Sequence, residues 1–156
     1  MKIHTPAALV EFTHEALSVR ALPELAPQMA AYVKVPPQTL LGVPRPGRVG
    51  VEKLLKQAVV IDSARHYRTM VTALWTQPHR ETRHRAHITP ASMPLYERMI
   101  REGAWWDLVD PIATWLVGIA WREHRTAIDP VMDRFITDGD FWIRRTALYS
   151  QFQHRK

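Results

Sequence analysis

Apolar residues recur along most of this sequence at helical spacing. The clearest run lies within residues 63–76 and holds five apolar side chains at intervals of three and four: Tyr67, Met70, Val71, Leu74 and Trp75. Such spacing places the side chains on one face of a helix, which is buried against a neighbouring element. A residue whose side chain can cap the helix, Asp62 or Ser63, stands directly before the run.

The same spacing predicts helices over most of the chain and no convincing β-strand. The predicted helices cover residues 7–20, 27–35, 47–58, 63–76, 79–88, 93–102, 106–124, 128–138 and 141–154. Several prolines stand where a first helical turn could begin, a position at which the missing N–H costs no helical hydrogen bond. These are Pro27, Pro46, Pro78, Pro94, Pro111 and Pro130. The fold class is therefore predicted to be all-α.

Short connections between amphipathic helices favour antiparallel pairs, and a chain of such pairs is typical of a HEAT-like helical-repeat superhelix. Two predicted helices begin with similar motifs, Trp-Trp-Asp at residues 105–107 and Asp-Phe-Trp at residues 140–142. The interval before them is shorter, which predicts one shortened inner helix after Pro78. Residues 1–156 are expected to form a single helical-repeat domain.

Composition excludes several classes of protein. With 156 residues, of which 46% are hydrophobic, the chain is long enough for one domain with a core. It has no cysteine, which excludes disulfides, thiolate metal sites and a cysteine nucleophile. It shows neither an export signal nor a long uncharged apolar stretch. The sequence thus predicts a soluble cytoplasmic protein, nucleoid-associated if the source is prokaryotic.

The net charge of +6 comes from one segment of the chain. Residues 45–85 carry nine basic and three acidic residues, whereas the segments on both sides are balanced. Arginine predominates among the basic residues, and its planar guanidinium group matches phosphate oxygens, so a nucleic-acid backbone is the natural ligand. A merely solvated basic surface is the alternative. The candidate DNA-binding residues of this segment are Arg45, Arg48, Arg80, Arg83 and Arg85.

Trp106 and Asp110 are one helical turn apart, so an indole and a carboxylate project from the same side of the predicted helix. Stacked repeats place equivalent turns side by side, which is expected to bring Arg145 to the same concave surface. Other roles stay open at this point. Asp110 could cap a helix that starts at Pro111, and Arg145 could be a solvated cation near a helix start.

A series of short motifs, taken in order, carries a resemblance to a known family. They are Met29-Ala30-Ala31-Tyr32, Leu41-Gly42-Val43-Pro44, Leu74-Trp75, Pro78-His79-Arg80-Glu81, Pro94-Leu95-Tyr96-Glu97-Arg98, Trp105-Trp106-Asp107-Leu108-Val109-Asp110 and Trp142-Ile143-Arg144-Arg145-Thr146-Ala147-Leu148. Over residues 28–153 the chain resembles the AlkD-like DNA alkylation repair proteins, which are HEAT-like DNA glycosylases.

This resemblance implies hydrolysis of the N-glycosidic bond of cationic alkylated purines, such as 3-methyladenine and 7-methylguanine, in duplex DNA. No metal or organic cofactor is implied. Asp110 matches the catalytic carboxylate of the family and Trp106 matches an aromatic that lies against the deoxyribose. Arg145 matches a cation that grips the backbone of the lesion strand, and Tyr32 matches another aromatic that faces the DNA groove.

The chain departs from the family pattern in two places. Relatives continue into further helical pairs after the segment that matches Phe152, so this chain is expected to be truncated at its C-terminal end. An oligomer contact or a partner polypeptide could then cover the last helix. The inner helix after Ala86 is also expected to be shortened. Both departures keep two alternative functions open, a non-catalytic DNA-binding helical-repeat module and a scaffold for protein interactions.

Overall fold

A computed structural model describes residues 2–83 and 90–154. The chain divides into two compact units, Met1–Ala86 and His87–Lys156. Each unit is built from packed helices, which confirms the predicted all-α helical-repeat fold. In the described part of the chain, no helix has the length and apolar character needed to cross a membrane.

Helix boundaries follow the sequence prediction closely in most places. The first unit contains α1 (Pro6–Ser18), α2 (Ala26–Val33), α3 (Arg45–Ala58) and α4 (Ala64–Trp75). The second contains α5 (Met93–Gly103), α6 (Trp106–Pro111), α7 (Gly118–Glu123), α8 (Arg125–Ile136) and α9 (Phe141–Tyr149). A π-helical segment, Ile112–Val117, joins α6 directly to α7, and a 3-10 segment, Ser150–His154, follows α9.

Helix α4 forms as its apolar spacing predicts. All five side chains of the predicted run are buried. Of the two candidate caps Ser63 is the one used, since its hydroxyl accepts a hydrogen bond from the backbone N–H of His66 at 3.0 Å. Helix α1 packs against both α3 and α4 and contributes Leu9 and Leu17 to the core of the first unit.

The helix predicted over residues 79–88 is wrong in the part that the structure describes. Only Arg80–Thr82 form a short 3-10 turn, and Arg83 has left the helical conformation with φ −81° and ψ 46°. The turn is closed locally, because the Thr82 hydroxyl donates to the carbonyl oxygen of His79 at 2.6 Å. Its middle residue, Glu81, is buried and makes a tertiary contact. The spacing of apolar residues does not predict such a contact.

Glu81 binds the loop that precedes α3. Its side chain is only 3% exposed. Oxygen Oε1 accepts hydrogen bonds from the backbone N–H groups of Leu41, Gly42 and Val43 at 3.0, 3.1 and 3.4 Å. Gly42 has a φ of +78°, and a side chain there would collide with the carbonyl oxygen of Leu22. Two motifs that are about 40 residues apart therefore form one buried structure.

Two prolines lie inside helical segments instead of starting them. Pro27, Pro46 and Pro94 lie in first turns as predicted, but Pro111 and Pro130 lie inside helical segments. Proline has no N–H to donate to the preceding turn. Directly after Pro111 the α-helix widens into the π-helical segment, a form that is usually limited to single turns within α-helices.

Ion pairs join α5, α8 and the turn before α9 in the second unit. The guanidinium group of Arg134 donates to both carboxylate oxygens of Glu97, at 2.9 and 2.6 Å. Arg101 also donates to Glu97, at 2.8 Å, and reaches the two carboxylate oxygens of Asp138 at 3.2 and 2.6 Å. The two arginines thereby connect two helices to the residues that start a third.

The same turn fixes the first residues of α9. The Asp138 carboxylate accepts from the N–H of Asp140 at 2.8 Å, and the Asp140 carboxylate caps α9 by accepting from the N–H of Trp142 at 2.7 Å. Arg144 donates to the carbonyl oxygen of Asp138 at 2.6 Å. A cation in the first helical turn opposes the helix dipole, and this hydrogen bond gives Arg144 a local role there.

We expect these ion pairs to make the stability of the chain sensitive to acid. The hydrogen bond from Arg101 is the main cause that lowers the pKa of Asp138 from 3.8 to about 2, and the hydrogen bond from Arg134 lowers the pKa of Glu97. Because these pKa values are lower in the folded chain, the unfolded chain binds more protons as the pH falls from about 4 to about 2. The free energy of unfolding should therefore decrease over that interval.

Urea denaturation between pH 5 and pH 2 measures this effect. The variant Asp138→Asn keeps an oxygen for the N–H of Asp140 and removes one titrating charge. Its free energy of unfolding should depend less steeply on pH than that of the unchanged protein. Equal pH dependence in the two proteins would contradict the expectation.

Candidate active site

Asp110 and Arg145, which the sequence predicted to converge, form a two-point ion pair. Asp110 lies in α6, and Arg145 lies in the middle of α9. The Nε and Nη2 groups of Arg145 donate to Oδ1 and Oδ2 of Asp110, each at 2.8 Å. Both side chains are 24% exposed. A planar guanidinium group bound in this way holds a carboxylate in one orientation.

This geometry removes the alternative roles of the two residues. Asp110 is inside α6, whose N-cap residue is Trp105, so Asp110 does not cap a helix that starts at Pro111. Arg145 is not a merely solvated cation either, because the Asp110 carboxylate forms an ion pair with it. The ion pair thus joins the two helices at the predicted site.

Tyr149 supports the guanidinium group of Arg145 from one face. The guanidinium carbon lies 4.0 Å from the centre of the Tyr149 ring, a cation–π arrangement. The hydrogen bond to Asp110 is the main cause that raises the pKa of Arg145, so the group stays charged. Asp110 takes two of the five N–H groups of the guanidinium. The Nη1 group does not bind this carboxylate.

Aromatic side chains lie at the starts of both helices. Trp106 is the first residue of α6, one turn before Asp110, and is half-buried. The neighbouring Trp105 contacts Trp142 of α9 with ring centres 6.1 Å apart. Phe141, the first residue of α9, is 57% exposed. The sequence analysis did not assign Phe141 or Tyr149 to the candidate site, although both lie one helical turn from Arg145.

In the first unit, three predicted DNA-binding residues lie on α2 and α3. Tyr32 is in α2 and is 76% exposed. Arg45 and Arg48 are in the first turn of α3, where Arg45 is exposed and Arg48 is half-buried. Tyr32 and Arg45 are both exposed to solvent, and the assignment of all three residues as DNA contacts stays a prediction.

The remaining predicted arginines belong to the segment after α4. Arg80 is in the 3-10 turn and is half-buried. Arg83 donates to the carbonyl oxygen of Gln77 at 3.3 Å, and its guanidinium carbon lies 5.3 Å from the centre of the Trp75 ring. Arg83 therefore stabilises the end of α4. Arg85 lies outside the described residues, so its role also stays a prediction.

The Asp110 carboxylate can stabilise a positive charge that develops nearby. An oriented anion favours a transition state in which a neighbouring group becomes cationic, and it can hold an attacking water. Arg145 maintains the orientation of this anion and presents positive charge on its other side. Within residues 2–83 and 90–154, no group of three histidine, cysteine or acidic side chains forms a metal site.

A family model described as DNA alkylation repair enzyme matches residues 13–156 of the chain. The matched range includes the C-terminal part of α1 and every later helix. It therefore contains Trp106, Asp110 and Arg145. No curated protein matches the sequence significantly.

Proposed function

Because this chain belongs to the DNA alkylation repair enzyme family, we propose that it hydrolyses the N-glycosidic bond of cationic alkylated purines in duplex DNA. The substrates would include 3-methyladenine and 7-methylguanine. An alkylated base that is already positive is a good leaving group and does not need to be protonated. The barrier then lies in the deoxyribose, which becomes oxocarbenium-like as the bond lengthens. An anion beside that sugar is the group that accelerates the reaction most.

The two-point ion pair of Asp110 and Arg145 is the observation that supports this proposal. Asp110 would stabilise the cationic sugar and position the attacking water. Arg145 would bind a phosphate of the lesion strand with the edge that Asp110 does not occupy. One guanidinium group then holds both the carboxylate and the DNA backbone, which sets the distance between the anion and the sugar. Trp106 would lie against the deoxyribose, one turn before Asp110.

The basic residues 45–85 and Tyr32 would supply duplex affinity. Arginines that neutralise phosphates release condensed counterions, so binding through them weakens steeply as the salt concentration rises. We assign Arg45, Arg48, Arg80 and Arg85 to such contacts. Arg83 would contribute through its charge while it holds the end of α4. The same basic segment also favours a second candidate function, a DNA-binding helical-repeat module without catalysis.

Release of free base tests the proposal. Duplex DNA treated with a methylating agent is incubated with the full chain, and 7-methylguanine in the supernatant is measured by chromatography. We expect release above the buffer rate, together with binding to the duplex that weakens with salt. Binding without release would contradict the enzyme and leave the DNA-binding module. A chain with no duplex affinity would contradict both and favour a scaffold for proteins.

A further inference from the structure

Phe141 is an exposed aromatic residue next to the candidate active site. It is the first residue of α9 and lies four positions before Arg145, which places both side chains on the same face of the helix. Its ring meets Trp142 edge to face, with ring centres 5.2 Å apart and an angle of 78° between the planes. This contact orients the exposed ring beside the helix start.

The register of α6 and α9 pairs Phe141 with Trp106. The Asp110–Arg145 ion pair joins residues that are 35 positions apart. Near the helix starts, Trp105 contacts Trp142, so the two helices run in the same direction past one another. Carried back one turn from the ion pair, the offset of 35 residues sets Phe141 near the level of Trp106, while the Trp105–Trp142 contact has an offset of 37. The structure therefore offers two aromatic residues on one side of the ion pair.

The rise along α9 from Phe141 to Arg145 spans between one and two nucleotide steps of a DNA strand. Four residues of helix correspond to about 6 Å along its axis. Successive nucleotides of one strand are about 3.4 Å apart along the duplex axis. A strand that runs along α9 and binds Arg145 through a phosphate would pass Phe141 within about one to two nucleotides. An apolar ring can pack on the carbon face of a deoxyribose there without unstacking any base.

We infer that Phe141 binds the deoxyribose of the nucleotide adjacent to the alkylated one. This inference rests on the proposed function, because it takes Arg145 as the residue that holds the lesion strand. The charge of the site supports a DNA strand as the ligand. The guanidinium group of Arg145 offers donors to a phosphate, while Trp106 and Phe141, one helical turn before the ion pair, offer apolar surface to the neighbouring sugars.

Binding to defined duplexes tests the inference. The probe is a fluorescently labelled duplex with a single 7-methylguanine, and its Kd is measured with the full chain. Phe141→Ala should weaken binding roughly tenfold, as expected for losing part of a buried aromatic contact. Phe141→Tyr keeps the ring and should bind like the unchanged protein. Ile136→Ala removes another exposed apolar side chain of the same unit and should have no effect.

Altered duplexes show which group Phe141 contacts. In one set a tetrahydrofuran abasic analogue replaces the nucleotide on either side of the lesion, which removes the base and keeps the sugar ring. In the other set a propanediol spacer removes both. With the first set, Phe141→Ala should still weaken binding, because the sugar is present. With the second set, the variant should have no effect when the spacer stands on the side of the lesion that Phe141 contacts, because the group it binds is already missing.

Three results would overturn the inference: equal weakening on every duplex, no weakening on any duplex, or no duplex affinity of the unchanged protein. Failure of the proposed function looks different. If the unchanged protein binds the duplex but releases no base, the proposed enzymatic function is contradicted. The Kd values of the unchanged protein and Phe141→Ala then still show whether Phe141 contacts the DNA. If the unchanged protein releases base and Phe141→Ala has the same Kd as the unchanged protein, the proposed function stands and only this inference is overturned.

Discussion

Asp110→Asn should lower the rate of 7-methylguanine release roughly a hundredfold, which corresponds to about 3 kcal/mol of transition-state stabilisation. Asparagine is similar in size and can still accept a hydrogen bond from Arg145. It carries no negative charge, so it cannot stabilise a cationic deoxyribose. Duplex affinity should be kept, because the guanidinium group and the basic residues 45–85 are unchanged. Single-turnover release from methylated duplex, measured beside the Kd, separates the two effects.

Asp107→Asn is the matched control for this variant. It removes the same charge from the same helix, one turn before the ion pair, and it leaves the contact between Asp110 and Arg145 in place. Its release rate should stay within a few-fold of the unchanged protein. If both variants lose the same amount, a general effect of charge on DNA binding or folding explains the result, and Asp110 has no special role.

Glu81→Ala should lower the free energy of unfolding by roughly 3–5 kcal/mol, because several backbone N–H groups lose their hydrogen-bond acceptor together. The substitution leaves the N–H groups of Leu41, Gly42 and Val43 without their acceptor in the core of the first unit. Each buried donor that loses its acceptor costs about 1–3 kcal/mol. Chemical denaturation followed by circular dichroism measures the change.

Two variants control for this prediction. Glu81→Gln retains one carbonyl oxygen for the backbone N–H groups and loses only the charge, so its stability should lie between those of the alanine variant and the unchanged protein. Glu11→Ala removes an exposed glutamate of α1 and should change stability by less than about 0.5 kcal/mol. Equal stability of Glu81→Ala and Glu11→Ala would show that the buried contact contributes nothing.

Local sequence patterns were sufficient for most of the helices. The run from Tyr67 to Trp75 forms α4 with all its apolar side chains buried, because a helical stripe is defined by residues three and four positions apart. The cap at Ser63 and the prolines at the starts of α2, α3 and α5 act within the first turn. Such signals lie in neighbouring residues and can be read without the tertiary structure.

Predictions failed where a distant contact or a backbone effect determines the conformation. The helix predicted after Pro78 gives way to a 3-10 turn at Arg80–Thr82, because Glu81 binds a loop that is about 40 residues away in the chain. Pro111 lies within a continuous helical segment, because the turn after it widens into π-helix and accommodates the missing N–H. Neither outcome is visible in the spacing of apolar residues.

The sequence alone determined that Asp110 and Arg145 belong to amphipathic helices, and it named both as candidate site residues. Only the tertiary structure decided that they bind one another and that Tyr149 supports the guanidinium group. The physical reason is the range of the interactions. Helical periodicity and caps depend on neighbours within about one turn, whereas the choice of an ion-pair partner depends on which helices pack side by side and in which register.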